Sequence, residues 1–335
     1  MKQSFVRLDI FRKLPKDLTE PTFCGALVSF ACTVILAILC MTEVGRYLTI
    51  QTKSDMLVDI SHHDDRLNIN IDIVFPKMPC DVLSLDVQDV MGTHSVDISG
   101  SLFKKKITKT GEVVSQASML EQVQNRMDLL NRVKEEISQE QGCQLKGYFE
   151  INRVPGNFHV SSHAYSDILM ALMMEGYSFD FSYKINHLSF GRDEQFKIIQ
   201  RRFPDQGIMN PLDGFSQLAA SEQQGDKQVA KNMNSNFYLI AVPSYFTDAG
   251  GSRYQVYQLT QNSFTDYNAQ QSVLMFNYEL SPITVQYQQT KENFFEFIVY
   301  ICAIVGGIFT VAGIVDSIIH RSVSSLFKQR IGKLS

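Results

Sequence analysis

Cysteine is the residue type in this chain with the clearest capacity for covalent chemistry. Of the six cysteines, only Cys80 and Cys143 lie in the polar middle of the chain, while the other four lie in two long apolar runs. No Cys-x-x-Cys motif occurs, which argues against a thioredoxin-type redox site. An isolated pair in an oxidising compartment can form a disulfide, but the spacing leaves open whether Cys80 and Cys143 are bonded.

Histidines are the next candidates for chemistry. The segment His62–Asp65 has the residue types of a metal site, but consecutive side chains between two strands do not converge on one ion, so we interpret it as a solvated turn. His159 and His187 each stand beside apolar residues. A structural role is favoured for both, and both are candidates for a pH switch because imidazole changes charge between about pH 5 and 8. We predict no metal site and no cofactor.

The remaining polar residues show no pattern typical of catalysis. No nucleophile–base arrangement, glycine-rich phosphate loop or suitably placed pair of carboxylates is found. The run Lys104–Lys106 is interpreted as a solvated edge. The net charge is -4 and no basic stripe alternates with aromatic residues, which argues against nucleic-acid binding. We therefore predict that the protein is not an enzyme and does not bind nucleic acid.

Two apolar runs enclose the polar middle of the chain. Pro21–Thr42 and Phe297–Val315 contain no charged residue. A helix needs about 20 apolar residues to cross a hydrocarbon core about 30 Å thick. We therefore place transmembrane helices at residues 21–44 and 294–318, with the first interpreted as an anchor and not as a cleaved signal peptide.

Basic residues are concentrated on the outer sides of the two predicted spans. They are Lys2, Arg7, Arg12, Lys13, Lys16, Arg321, Lys328, Arg330 and Lys333. The inner flanks carry Arg46, Lys53 and Lys291. The positive-inside rule then predicts that both termini are cytosolic. The expected organisation is a cytosolic head at residues 1–20, a lumenal domain at 45–293 and a cytosolic tail at 319–335.

Each predicted span carries small residues on one helix face. The two sets are Gly25, Ser29, Thr33 and Ala37 in the first span, and Cys302, Gly306, Thr310 and Gly313 in the second. Small residues allow close approach of helices in a lipid bilayer. We predict that these faces pack, either on each other or on the spans of a partner.

Short alternating segments dominate the middle region. Residues 67–75 alternate between apolar and polar with the period of two typical of a half-buried strand. The other predicted strands are Met56–Ile60, Leu83–Val87, Gln144–Val154, Phe158–Ser161, Phe237–Val242, Tyr254–Thr260, Val273–Leu280 and Thr284–Tyr287. Ile107–Val114 is predicted to contain a Lys-Thr-Gly-Glu turn between short strands. Many short strands separated by turns indicate a mainly-β domain, and we predict a β-sandwich.

One or two helices are expected to interrupt these strands. Apolar residues recur at a spacing of three to four within residues 119–138, which predicts an amphipathic helical insert. Asp167–Glu175 contains the sequence Ile-Leu-Met-Ala-Leu-Met-Met. A methionine-rich helix face suits an adaptable binding surface, but the favoured interpretation is that this helix belongs to the core.

Several stretches together resemble one family. They are Phe11–Glu20, Phe75–Cys80, Gly142–Gly147, Val154–Val160, Asn186–Gly191, Asn210–Asp213, Tyr278–Pro282 and Cys302–Gly313. In this order and within the predicted topology, the chain resembles the Erv/ERGIC family of two-span proteins that cycle between the endoplasmic reticulum and the Golgi in COPII and COPI vesicles. In its motifs it looks most similar to the branch with plant disulfide-isomerase-like members, but without their thioredoxin domain.

The resemblance implies a lumenal β-sandwich, cytosolic termini and an ER, intermediate-compartment and cis-Golgi location. It also implies assembly with a related family member into a receptor for lumenal cargo. Cys80 and Cys143 match the family's Met-Pro-Cys and Gly-Cys positions, so the resemblance implies a disulfide between them. The cysteine-rich loop that one branch uses for cargo is missing here, so the resemblance does not extend to cargo binding through that loop.

The C-terminal tail carries sorting-signal candidates, and the resemblance implies that the family presents such signals to COPII and COPI coats. Lys333 stands where dilysine signals place one lysine, but the companion lysine is missing. Leu326 and Phe327 resemble an apolar exit signal. The alternative is a basic anchor against anionic headgroups.

The predicted function is a subunit of a cargo or retrieval receptor in ER–Golgi transport, with two alternatives from other classes. A trimeric ligand-gated channel shares two spans and a β-rich domain, although such domains are usually rich in disulfides. A lumenal thiol oxidoreductase would need a cysteine pair at reactive spacing, and this chain has none.

Overall fold

The structure is a computed structural model of the 335-residue chain. It describes residues 23–58, 66–90, 100–118, 125–204, 210–224 and 227–331. The chain divides into two compact units. We call residues 52–288 the β-domain and the two flanking segments together the helical unit.

The helical unit consists of two apolar helices. Helix α1 spans Phe23–Leu48 and helix α5 spans Phe294–Ile331. Their segments Ala26–Leu48 and Phe294–Ile319 are long and apolar enough to cross a membrane, and almost none of their residues is fully buried. Exposed apolar side chains suit a lipid environment. The backbone suits it as well, because a helix pairs its own N–H and C=O groups where no water is present to bind them.

The two helices pack along a face of larger residues. The half-buried apolar residues are Val28, Cys32, Leu36, Cys40 and Tyr47 on α1, and Phe297, Ile301, Ile304, Val305, Ile308, Ala312 and Ile319 on α5. At one end the rings of Tyr47 and Phe297 lie 4.6 Å apart. Next to them, Arg46 Nε lies 2.9 Å from Glu292 Oε1. The helices are therefore joined by apolar packing and by an ion pair.

The predicted small-residue faces do not pack on each other. Ser29, Thr33, Gly306, Thr310 and Gly313 are all exposed. Apart from the adjoining backbone of α5, no atom of the described residues lies within 4 Å of a Cβ built on Gly306 or Gly313. The reason is that the bulkier rows at the same helical spacing form the contact between α1 and α5. Gly25 lies in α1, and its surroundings are outside the described part of the chain. Packing on a partner's spans stays a prediction.

Within its described residues the β-domain contains fifteen strands. They are β1 Gln51–Val58, β2 Leu67–Phe75, β3 Ser84–Asp89, β4 Gly100–Ile107, β5 Val113–Ser118, β6 Gly142–Ile151, β7 Gly156–Ser161, β8 Tyr183–Phe190, β9 Ser216–Gln217, β10 Ser221–Gln224, β11 Lys227–Ala230, β12 Asn234–Thr247, β13 Arg253–Asp266, β14 Val273–Leu280 and β15 Ile283–Thr290. Its helices are α2 Arg126–Ser138, α3 Ser166–Met174 and α4 Asp193–Arg202.

Most strands belong to two sheets that face each other. Sheet A has the order β1-β15-β12-β14-β7-β3, with β13 also paired to β12, and sheet B has the order β5-β4-β6-β2-β8-β9. Aromatic side chains join the sheets, since Phe149 of sheet B lies 5.3 Å, centroid to centroid, from Phe158 of sheet A. Phe276 stacks on both Phe158 and Phe237. The mainly-β sandwich between two apolar helices is confirmed.

Several elements of the β-domain differ from the prediction. Strands β4, β8, β9, β10 and β11 were not predicted. Helix α4 was not predicted either, so the described part of the domain holds three helices instead of one or two. Helix α4 buries Phe196 and Ile199 against Phe246 and Val256 in a second, smaller core. The predicted insert at 119–138 ends where α2 ends, but α2 begins at Arg126, and residues 119–124 are outside the described part.

Candidate functional site

The sequence motif Met-Pro-Cys positions one end of a disulfide. Pro79 leads into a single helical turn, Cys80–Val82, and β6 carries Cys143 at its second residue. Cys80 and Cys143 form a disulfide, and both are fully buried in the main core. A buried disulfide is inert to exchange because redox chemistry requires an accessible sulfur. This arrangement argues for a structural bond and against the oxidoreductase alternative.

A buried carboxylate lies beside this disulfide. Glu136 of α2 is only 3% exposed, and its Oε2 accepts a hydrogen bond of 2.7 Å from the backbone N–H of Cys80. Lys106 Nζ lies 2.5 Å from Glu136 Oε1 and 3.3 Å from Asp81 Oδ2. Burial raises the pKa of Glu136, and the contacts with Lys106 and Cys80 oppose that shift. Helix α2 is thus attached to the disulfide turn by a charge cluster.

The interpretation of the lysine run as a solvated edge is wrong. Strand β4 pairs with β5 on one side and with β6 on the other, so it is an interior strand of sheet B. Lys106 belongs to the cluster around Glu136. Burial lowers the pKa of Lys104 to about 8, and attraction to Asp81 and Glu136 opposes that shift. This part of the run therefore faces acidic side chains and not bulk water.

His187 is held between two carboxylates from different segments. Its Nδ1 lies 3.0 Å from Asp213 Oδ2, and its Nε2 lies 3.1 Å from Asp193 Oδ1 at the start of α4. The hydrogen bond with Asp213 is the main reason why the pKa of His187 is raised. When protonated, this histidine connects strand β8 with helix α4 and with the segment around Asp213.

The methionine-rich helix α3 has two distinct sides. Ile168, Leu169 and Leu172 are buried, as the core interpretation predicts. Met170, Met173 and Met174 are 61%, 51% and 80% exposed, so that interpretation is wrong for the methionines. The division follows from helical geometry, because a short helix on a sheet can bury only one stripe of its surface.

Met170 and Met173 line a cavity of about 260 Å³ between α3 and loops that connect the strands of the sandwich. Its lining residues are Met78, Ser162, His163, Ser166, Leu169, Met170, Met173, Phe179, Phe181, Asn232, Gln270, Gln271 and Ser272. The floor is apolar, since Met78 and Phe181 are each only 2% exposed. The rim carries amide and hydroxyl side chains that can pair with a peptide backbone. An apolar floor with polar groups at the rim makes this cavity a candidate binding site.

The second predicted switch residue, His159, lies next to this cavity. It is in β7, directly opposite Asp86 of β3. His163, which lines the cavity, follows β7 in a single helical turn. The rings of His159 and His163 lie 5.7 Å apart. The sequence reasoning named His159 but missed Asp86 and His163, because only the pairing of β3 with β7 brings them together.

The remaining sequence candidates lie at or beyond the edge of the description. Lys333, His62–Asp65 and the N-terminal head are outside the described residues. Helix α5 continues through Leu326 and Phe327, but their side chains are outside the described part as well. The sorting-signal assignments therefore stay predictions.

Comparisons with known proteins agree with this architecture. A sequence family described as "Endoplasmic reticulum vesicle transporter" matches residues 103–316, and one described as "Endoplasmic Reticulum-Golgi Intermediate Compartment (ERGIC)" matches residues 5–96. The chain is 32% identical to endoplasmic reticulum–Golgi intermediate compartment protein 1 of Xenopus laevis, over 100% of both chains. It is 23% identical to protein disulfide-isomerase 5-4 of Arabidopsis thaliana, over 97% of this chain and 98% of that one.

A crystal structure of Erv41p is similar to 70% of this chain and 99% of that one, with a TM-score of 0.46 and 19% identity. The assignment itself rests on the sequence matches, which cover the head, both apolar helices and most of the β-domain. The chain therefore belongs to the endoplasmic reticulum vesicle transporter (Erv/ERGIC) family, whose members are membrane proteins of transport between the endoplasmic reticulum and the Golgi.

Proposed function

We propose that the protein is a non-catalytic subunit of a receptor that cycles between the endoplasmic reticulum and the Golgi. In this proposal α1 and α5 span the membrane, the β-domain lies in the lumen, and the two termini lie in the cytosol. The β-domain binds lumenal client proteins. The head and tail, with Leu326, Phe327 and Lys333 as sorting candidates, contact the COPII and COPI coats.

The observation that carries this proposal is the cavity beside α3. Exposed methionines adapt to different partners because their side chains are unbranched and polarisable. The nearby Asn232 and Gln270 are exposed and carry amide donors and acceptors for a peptide backbone. The combination suits a short apolar segment of a client protein. No comparable rationale favours a channel or an oxidoreductase.

Site-specific photo-crosslinking tests this assignment. A photoreactive residue at Met170 is expected to give adducts with soluble lumenal proteins in cells. The matched control is the same residue at Met56, which is 78% exposed and lies in β1, outside the cavity lining. Equal adduct patterns at the two positions would contradict a specific site at the cavity.

We further propose that the exposed small-residue faces bind the spans of a related family member. Gly306→Leu is expected to weaken co-purification of that partner at least severalfold, because the larger side chain blocks close approach. Since no described residue beyond the neighbouring backbone of α5 itself lies within 4 Å of a Cβ at Gly306, the contact between α1 and α5 should persist. Co-purification from mild detergent measures the first effect, and a disulfide engineered between α1 and α5 reports the second. Undiminished partner recovery would refute the proposed face.

His187 is the proposed pH-sensitive group. Its two direct charged neighbours are Asp213 and Asp193, and Asp193 also pairs with Lys197. On the neighbouring strand β2, Asp72 lies opposite His187 and pairs with Lys146. Because the pKa of His187 is raised on folding, its contribution to stability is complete below the unfolded value of about 6.5 and is lost as pH rises through the folded value.

His187→Gln is therefore expected to destabilise the β-domain more at pH 6 than at pH 8. Comparing client binding by the wild type and by His187→Gln at the same two pH values tests whether client affinity depends on the charge of His187. Thermal unfolding of the full-length protein in detergent, measured at both pH values, gives the result. A loss of stability that is independent of pH would show that the imidazolium has no role.

A further inference from the structure

We propose that Asp86, His159 and His163 form a binding site for a divalent transition-metal ion, with Zn²⁺ the best match. The proposal goes beyond the receptor function and does not depend on it. It rests on the arrangement of three side chains that the fold brings together from two strands and a turn.

The strand pairing fixes the first two ligands. Asp86 and His159 are directly opposite in the antiparallel pair of β3 and β7, so their side chains project from the same face of sheet A and start about 5 Å apart. His159 Nε2 lies 3.6 Å from Asp86 Oδ2. The carboxylate of β3 and the imidazole of β7 are therefore close enough to bind the same metal ion.

The turn after β7 supplies the third ligand. His163 Nε2 lies 3.8 Å from the same oxygen, Asp86 Oδ2. One ligand atom from each of the three residues lies within 4.8 Å of the others. In a tetrahedral zinc site with bonds of about 2.0–2.2 Å, the ligand atoms are about 3.3–3.6 Å apart. Only small side-chain rotations are needed to reach that geometry.

A hydrogen bond already orients one of the imidazoles. Nδ1 of His163 is hydrogen-bonded to the hydroxyl of Ser161, which is fully buried. This contact fixes the ring and directs Nε2 toward Asp86. Metal-binding histidines are usually oriented by such a contact on the nitrogen that does not bind the metal.

The ligand set selects the metal class. Two imidazoles and one carboxylate suit zinc and other first-row transition metals, whereas calcium and magnesium prefer oxygen ligands. Three protein ligands leave a fourth position, as in zinc sites that accept water or an external ligand. Because His163 is about half exposed and lines the cavity beside α3, the open position lies at the edge of that cavity.

The test uses the full-length protein in detergent, stripped with chelator and then equilibrated with Zn²⁺ or Co²⁺. We expect one more zinc ion per chain in the wild type than in the His159→Gln/His163→Gln double variant. Asp86→Asn and His163→Gln should each weaken zinc binding at least tenfold. The matched control is His187→Gln. His187 also lies beside carboxylates, those of Asp193 and Asp213, but it is not a proposed zinc ligand, so zinc binding should be unchanged.

Bound Co²⁺ should give the visible absorption of a tetrahedral site without a thiolate band, and each ligand variant should lose it. Thermal unfolding without metal confirms that the variants are folded, and His163→Gln changes a side chain that is half exposed. Zinc should raise the melting temperature of the wild type and not that of the double variant. Equal zinc content in the wild type and the double variant would overturn the proposal.

Discussion

Replacing both Cys80 and Cys143 by alanine is expected to lower the free energy of unfolding of the β-domain by about 4 kcal/mol. The disulfide joins positions that are 63 residues apart. The loop between them contains β3, β4, β5 and α2, so breaking the bond releases a long segment of the unfolded chain. Unfolding in urea, followed by pulse proteolysis of the full-length protein in detergent, measures the change.

The control for this experiment is Cys302→Ala. Cys302 is a free, exposed cysteine on α5, and its loss should leave the urea midpoint of the β-domain unchanged. A double alanine variant with an unchanged midpoint would show that the disulfide does not restrict the unfolded chain.

Glu136→Ala is expected to destabilise the β-domain by about 3–5 kcal/mol, because it removes one partner of a buried ion pair. The substitution leaves Lys106 Nζ facing Asp81 alone and leaves the N–H of Cys80 without its carboxylate acceptor. Lys106 and Arg132 then share the single carboxylate of Asp81, and a buried cluster with one charge left uncompensated is less stable than the intact one. The same urea experiment provides the measurement.

Two further variants test this explanation. Lys109→Ala breaks an ion pair in which Lys109 is 80% and Glu140 is 69% exposed, and it should cost at most about 1 kcal/mol. Glu136→Leu combined with Lys106→Met removes both charges and should recover much of the lost stability. If the double variant were as unstable as Glu136→Ala, packing of α2 and not charge would explain the loss.

The predicted strand bounds were most accurate where every second side chain of the strand is buried along its length. Residues 67–75 and 273–280 form β2 and β14 at the predicted bounds. Their period of two follows directly from side chains that alternate between core and surface.

The missed elements have identifiable causes. The register of β8 shifts against β2 between Asp72 and Ile73, and such a bulge interrupts the alternation that identifies a strand. Helix α4 is short and mostly polar, although its acidic first turn, at Asp193 and Glu194, and its basic last turn are signals of a helix. A third signal of a helix was the spacing of three residues between the apolar Phe196 and Ile199.

The candidate sites were predictable only in part. Cys80 and Cys143 could be paired through the resemblance to the family, and His159 and His187 could be named from their residue type. The partners of these histidines could not be predicted, because Asp86 and Asp213 reach them through contacts between segments distant in sequence. The cavity beside α3 also depends on which stripe of the helix is buried, and the sequence Ile-Leu-Met-Ala-Leu-Met-Met is apolar on every side.

The most direct test of the receptor proposal compares the proteins recovered with full-length wild type and with Met170→Asp/Met173→Asp from gently solubilised membranes. Both residues are exposed, so the variant should fold, and Met174→Asp, on the same helix but outside the cavity lining, is the control. The proposal predicts that the double variant loses the soluble lumenal proteins and keeps the related membrane subunit. Recovery of the same soluble proteins with all three chains would contradict it.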